Sequence, residues 1–101
     1  GSLGVDPIVA RRRDGIIAIA GRGIQGVVVV DPVGRIQRTV GRIGDGPGEY
    51  RRITALKFDH ADSLHVFDLT NRRESVLAPD WRFIRSLPIS APAYASTTAL
   101  S

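Results

Sequence analysis

The sequence predicts an all-β chain made of two four-stranded antiparallel units, and three observations lead there. Short apolar runs alternate with Gly, Pro, Asp and Asn along the 101 residues. No long window keeps apolar residues at helical spacing without a Gly or Pro breaking it. The first half of the chain also slides onto the second, without gaps, at an offset of 47 residues.

The strands follow in order. They are expected at Ile8 to Arg12, Ile16 to Ala20, Gly26 to Val30, Arg35 to Val40, Ile53 to Asp59, Leu64 to Asp68, Glu74 to Leu77 and Arg82 to Leu87. Each has an ordinary strand length of about five to seven residues. Between them stand Asp14-Gly15, Asp31-Pro32-Val33-Gly34, His60-Ala61-Asp62-Ser63, Thr70-Asn71 and Pro79-Asp80, residues that favour turns for steric reasons. The result is a meander of hairpins.

The 47-residue offset aligns Pro32 with Pro79, Arg35 with Arg82 and Arg38 with Arg85. It also sets Val9 on Leu56, Ile17 on Leu64, Ile19 on Val66, Val29 on Val76, Val30 on Leu77 and Ile36 on Phe83. A period of about 40 to 50 residues with four short strands per unit is the signature of propeller blades. Val27-Val28-Val29-Val30 agrees, because a strand apolar on both faces needs cover on both sides. The alternative is a small β-sandwich or barrel in which the repeat is coincidental. The chain then divides into a tag and lead-in at 1–7, blade-like repeats at 8–40 and 53–88, an inter-blade loop at 41–52, and a tail or start of a third repeat at 89–101.

The loop contains Gly44, Gly46, Pro47, Gly48, Glu49 and Tyr50, read here as structural: the glycines allow positive φ, Pro breaks a ladder, Glu49 accepts backbone N–H groups and Tyr50 packs beneath the turn. Gly44-x-Gly46-Pro47-Gly48-Glu49-Tyr50, followed by Leu64-His65-Val66-Phe67-Asp68-Leu69-Thr70-Asn71-Arg72-Arg73, resembles the NHL-like six-bladed β-propeller proteins of bacteria. That family reads approximately G-x-G-P-G-E-F, then aliphatic-x-V-x-D-x-x-N-x-R. The match is good over about residues 35 to 88 and looser over 8 to 34, where Gly21-Arg22-Gly23 replaces Asp68-Leu69-Thr70 and the Asp is missing. The resemblance implies a bacterial periplasmic or secreted setting. It also implies that ligands meet the face carrying the turns after the second strands, so Arg22, Asp68, Asn71 and Arg72 are the candidate ligand-binding residues; the local alternative is that Asp68 and Asn71 bond their own turn. Six such units need on the order of 280 residues, and this chain supplies two. Uncovered faces and edges would therefore drive self-association, three chains closing one ring most economically.

Composition narrows the chemistry. With 43% hydrophobic and 24% charged residues the chain should fold, yet a domain this small buries only about 60–70% of its unfolded surface, so a deep site needs more chain or a partner. The absence of Cys excludes disulfides, thiolate nucleophiles and thiolate metal sites. No apolar run approaches the roughly 20 residues of a membrane-spanning helix, and no signal peptide is evident. The net charge of +4 is modest, and nucleic-acid binding would need basic groups beside aromatic platforms. Arg11-Arg12-Arg13 and Arg51-Arg52 read as solvated edges that discourage strand pairing, and Trp81 as a packing lid.

Other motifs lose to plainer readings. Gly21-x-Gly23-x-x-Gly26 fits a dinucleotide fingerprint, but β-branched Val27 to Val30 follows instead of a helix, so a glycine-rich turn is preferred. Asp59, His60, Asp62 and His65 are the one His-carboxylate cluster and are better explained by turn chemistry than by a metal. The expectation is a non-catalytic binding or scaffold module that self-associates, with no cofactor, no metal and no catalytic residues. The other classes considered are a part of a lactonase-like hydrolytic propeller and a small basic β-domain that binds nucleic acid.

Overall fold

The computed structural model describes residues 7–21 and 23–89. The lead-in at 1–6, Arg22 and the tail at 90–101 lie outside the described residues.

Among the described residues the chain is all-β. β1 (Ile8–Arg11), β2 (Ile17–Ala20), β3 (Val27–Val30) and β4 (Ile36–Val40) form one antiparallel meander. β5 (Arg42–Ile43) and β6 (Glu49–Tyr50) form a short parallel pair within the connecting loop. β7 (Ile53–Phe58), β8 (Leu64–Asp68), β9 (Arg73–Leu77) and β10 (Phe83–Pro88) form the second meander.

The two sheets are copies of one unit. Val9 pairs with Ile19 and Leu56 with Val66; Ile17 pairs with Val30 and Leu64 with Leu77; Val29 pairs with Arg38 and Val76 with Arg85. Every pair in the first sheet recurs in the second 47 residues on, including the outer-strand bulge that carries Gln37 in one and Ile84 in the other.

The turns repeat as well. Asp31 N–H donates to Arg35 O and Gly34 N–H to Asp31 O; Ala78 N–H donates to Arg82 O and Trp81 N–H to Ala78 O. The fourth residue of this turn needs positive φ. Gly34 takes 92°, and Trp81 takes 74° at the same position of the second unit. A left-handed bulky residue is strained, by about 1–2 kcal/mol. Packing offsets that strain: Trp81 is buried, its ring meets Phe58 edge-on at 6.1 Å, and Arg12 lies 5.2 Å from its centroid.

Alternation of side chains gives each sheet two faces. In the first, face a carries Ile17, Ile19, Val28 and Val30, and face b carries Ala18, Ala20, Val27 and Val29. In the second, face a carries Leu64, Val66, Ser75 and Leu77, and face b carries His65, Phe67, Glu74 and Val76. The core joins face b of the first sheet (Ala18, Val27, Val29) to face a of the second (Leu64, Val66, Leu77), with Tyr50 and Trp81 closing it. The two remaining faces look outward from opposite sides of the stack. Face a of the first sheet stays half-buried and is flanked by exposed Val9 and Ile36, the latter 70% exposed.

Trp81→Ala should lower unfolding stability by about 3 kcal/mol or more, because the lost ring leaves a cavity between the sheets. Guanidinium denaturation reads this directly; a change of less than about 1 kcal/mol would mean that Trp81 does not seal the core.

Candidate functional site

Three of the four candidate ligand-binding positions are described, and two of them hold the inter-unit loop. Asp68, at the end of β8, is fully buried. Its Oδ2 accepts from Arg51 N–H (2.7 Å) and Asn71 Nδ2 (3.0 Å), and its Oδ1 from Arg52 N–H and Asn71 N–H (both 3.1 Å). Asn71 Nδ2 also donates to Gly44 O at 3.0 Å. Arg73, one residue beyond Arg72, donates Nη1 to Asp45 O (2.8 Å) and Nη2 to Glu49 O (2.9 Å). Asp68, Asn71 and Arg73 thus clamp segment 44–52, which gives the D-x-x-N-x-R spacing a physical meaning: all three hold the Gly/Pro loop. Arg72 is exposed, with φ of 54° and no ion pair among the described residues.

The loop is preorganised from its own side too. Glu49 Oε1 accepts Gly46 N–H (2.9 Å) and Oε2 accepts Arg42 Nε (2.8 Å). That backbone donor, then Arg42, hold its carboxyl below the usual range. Gly41, at φ of 82°, lies against the Tyr50 ring, where a Cβ would come within 2.5 Å of Cε2. Burial pushes the Tyr50 phenol up.

The opposite end of the stack is pinned by residues that sequence reading placed on solvated edges. The Arg12 side chain is only 11% exposed. It donates to Asp14 through Nε (3.1 Å) and Nη2 (2.9 Å), and reaches across to Pro79 O through Nη1 (2.9 Å). Arg13 donates Nε to Asp62 (3.2 Å) and Nη2 to His60 O (2.9 Å). Both therefore tie the first turn of one unit to turns of the other. No sequence signal separates them from Arg11, because the contact depends on stacking.

His65 sits on face b of the second sheet between two carboxylates. Its Nε2 faces Asp59 Oδ2 at 2.8 Å, and its Nδ1 bonds Glu74 Oε2. Only imidazolium donates from both nitrogens, so this arrangement favours the charged ring. Partial burial pulls the His65 pKa down, but the bonds and charges of Asp59 and Glu74 outweigh it and leave it raised. His65 is thus a bridge between strands, with no free lone pair to act as a base. Among the described residues no group of three or more His, Asp and Glu side chains is placed to hold a metal ion, and no helix is long and apolar enough to cross a membrane.

Compared with models of known protein families and with curated proteins, the chain matches none.

Asp68→Ala leaves backbone donors of Arg51 and Arg52 without their acceptor. It should cost about 2–4 kcal/mol and remove hydrogen-exchange protection at those two amides; retained protection would show the clamp to be dispensable. His65 gives a pH signature. Its folded pKa lies above the unfolded value near 6.5, so its stabilisation is complete below that value and lost as pH rises through the folded pKa. Denaturation midpoints should fall over that window in the native chain and stay level in His65→Gln; parallel profiles would contradict the bridge.

Proposed function

We propose that the chain is a two-unit piece of an NHL-like β-propeller that serves as a non-catalytic binding or scaffold module, and that copies associate head to tail into a closed ring. The single observation that carries the reading is the pair of outward faces. Within the chain, face b of one unit packs on face a of the next. The same two kinds of face remain outward at opposite sides of the stack. A second copy brought in by the same displacement would lay Ile17, Ile19, Val28 and Val30 over half-buried His65, Phe67 and Glu74, beside Val76, which the single chain already buries. This is a heterologous contact, which closes into a ring where the rotation allows it.

The proposed contact is more polar than the internal one. His65 and Glu74 stand where the first unit has Ala18 and Val27. They are bonded to each other, and His65 also to Asp59, while Lys57 and Arg85 stand on the edge strands β7 and β10 of the same face. The apolar contribution comes from the first unit's face a, whose equivalents in the second unit, Leu64, Val66 and Leu77, are wholly covered.

Molar mass by light scattering across a concentration series tests this. The expected value approaches three times the 10.9 kDa of one chain, and Ile36→Glu, at an exposed site on face a, should return it to a single chain with the circular dichroism unchanged. A native mass of one chain at every concentration would overturn the reading.

A further inference from the structure

We propose that the Tyr50 hydroxyl, the Ser75 hydroxyl and Arg73 Nε enclose a binding site for one buried water molecule, set between the inter-unit loop and β9. The site lies within one chain and is independent of self-association.

Tyr50 and Ser75 are 2% and 0% exposed. Their hydroxyl oxygens and Arg73 Nε are shut off from solvent, and no donor or acceptor among the described residues meets them. A buried polar atom left unpaired is destabilising, so three in one place call for a shared partner. Arg73 and Ser75 stand two residues apart on β9 and therefore share face a. The Tyr50 ring lies against Gly41, and its phenol neighbours both of them: burial raises its pKa, while the Ser75 hydroxyl and then the Arg73 charge pull the other way.

The chemistry of the three atoms selects the ligand. Arg73 spends Nη1 on Asp45 O and Nη2 on Gly46 O and Glu49 O, which leaves Nε, a group that only donates. Each hydroxyl either donates or accepts. One molecule that accepts from Nε and one hydroxyl and donates to the other satisfies all three, and water does this with the least volume. An anion is disfavoured, because Asp68, the cross-strand partner of Arg73 on the same face, already balances the guanidinium. The first unit has no counterpart of the site: Val28 stands at the position of Ser75 and Gly26 at that of Arg73. The polar trio is thus no requirement of the repeat. It arises where the loop brings Tyr50 into the core, and the water ties that loop to the strand whose Arg73 already clamps it.

A crystal structure of the full chain at a resolution that orders internal solvent tests the site without mutation. One water within hydrogen-bond reach, about 2.7–3.2 Å, of the Tyr50 hydroxyl, Ser75 Oγ and Arg73 Nε is expected. Equilibrium unfolding gives a second readout, in its sign. Tyr50→Phe, which keeps the ring, and Ser75→Ala should each raise the unfolding equilibrium constant about threefold or more, and the double variant should fall short of the product of the two, because both hydroxyls serve one molecule. Dry, unpaired hydroxyls predict the reverse: deleting either one leaves the constant unchanged or lowers it. A direct bond between Tyr50 and Ser75 with no solvent beside it, a crystal site without water, or single variants as stable as the native chain would each overturn the proposal, whatever the oligomeric state proves to be.

Discussion

A four-stranded sheet that is apolar on both faces cannot stand alone in water, and this constraint organises the whole chain. Val27 and Val29 point one way from β3, Val28 and Val30 the other. The first pair is buried against Leu64, Val66 and Leu77 of the second unit. Each aliphatic side chain fully removed from water contributes about 1.5–3 kcal/mol, so this contact outweighs any single polar bond in the molecule. Small Ala18 and Ala20 on the covering face let the larger side chains of the other sheet approach closely. Stacking satisfies only one side of each unit, which is why the remaining face of the first sheet dominates the functional reading.

The stack is fastened differently at its two ends. Around the loop, Asp68, Asn71 and Arg73 gather backbone groups of segment 44–52 into one buried network. The first unit has Gly21 where the second has Asp68. At the other end Arg12 bridges the units by crossing to Pro79 O and lying against Trp81. The loop end is thereby bound to local backbone, while the other end is held by the charged side chains of Arg12 and Arg13 that cross between the units.

Much of this was legible in the sequence because its signals were local. Each of the eight strand spans lies within one residue of its place in the structure at either end, since period-two patterning and Asp, Gly and Pro turns act over a few residues. The 47-residue offset carried the register of both sheets. What was not legible depends on stacking. The parallel pair β5–β6 is too short to alternate and is held by contacts of Glu49 and Tyr50. Positive φ at Trp81 was hidden because Trp favours strands, and only its alignment with Gly34 points to it. Glu74 meets His65 diagonally across β8 and β9, a pairing that emerges only once their register is known. Asp68 and Asn71, singled out by motif spacing as candidate ligand-binding positions, bond the inter-unit loop and their own turn, and Arg73 in the same motif bonds the loop where Arg72 does not.

The most direct test of head-to-tail stacking uses the absence of native cysteine. A spin label on Thr39→Cys, at the exposed rim of face a, would be mixed with isotopically labelled native chain and amide signals of the latter recorded. Head-to-tail stacking predicts broadening of Phe67, Glu74 and Val76 on the opposite face of the labelled chain. Broadening of Ile17, Ile19 and Val28 instead would mean like faces meeting like, and no broadening at all would mean that the two outward faces do not find each other.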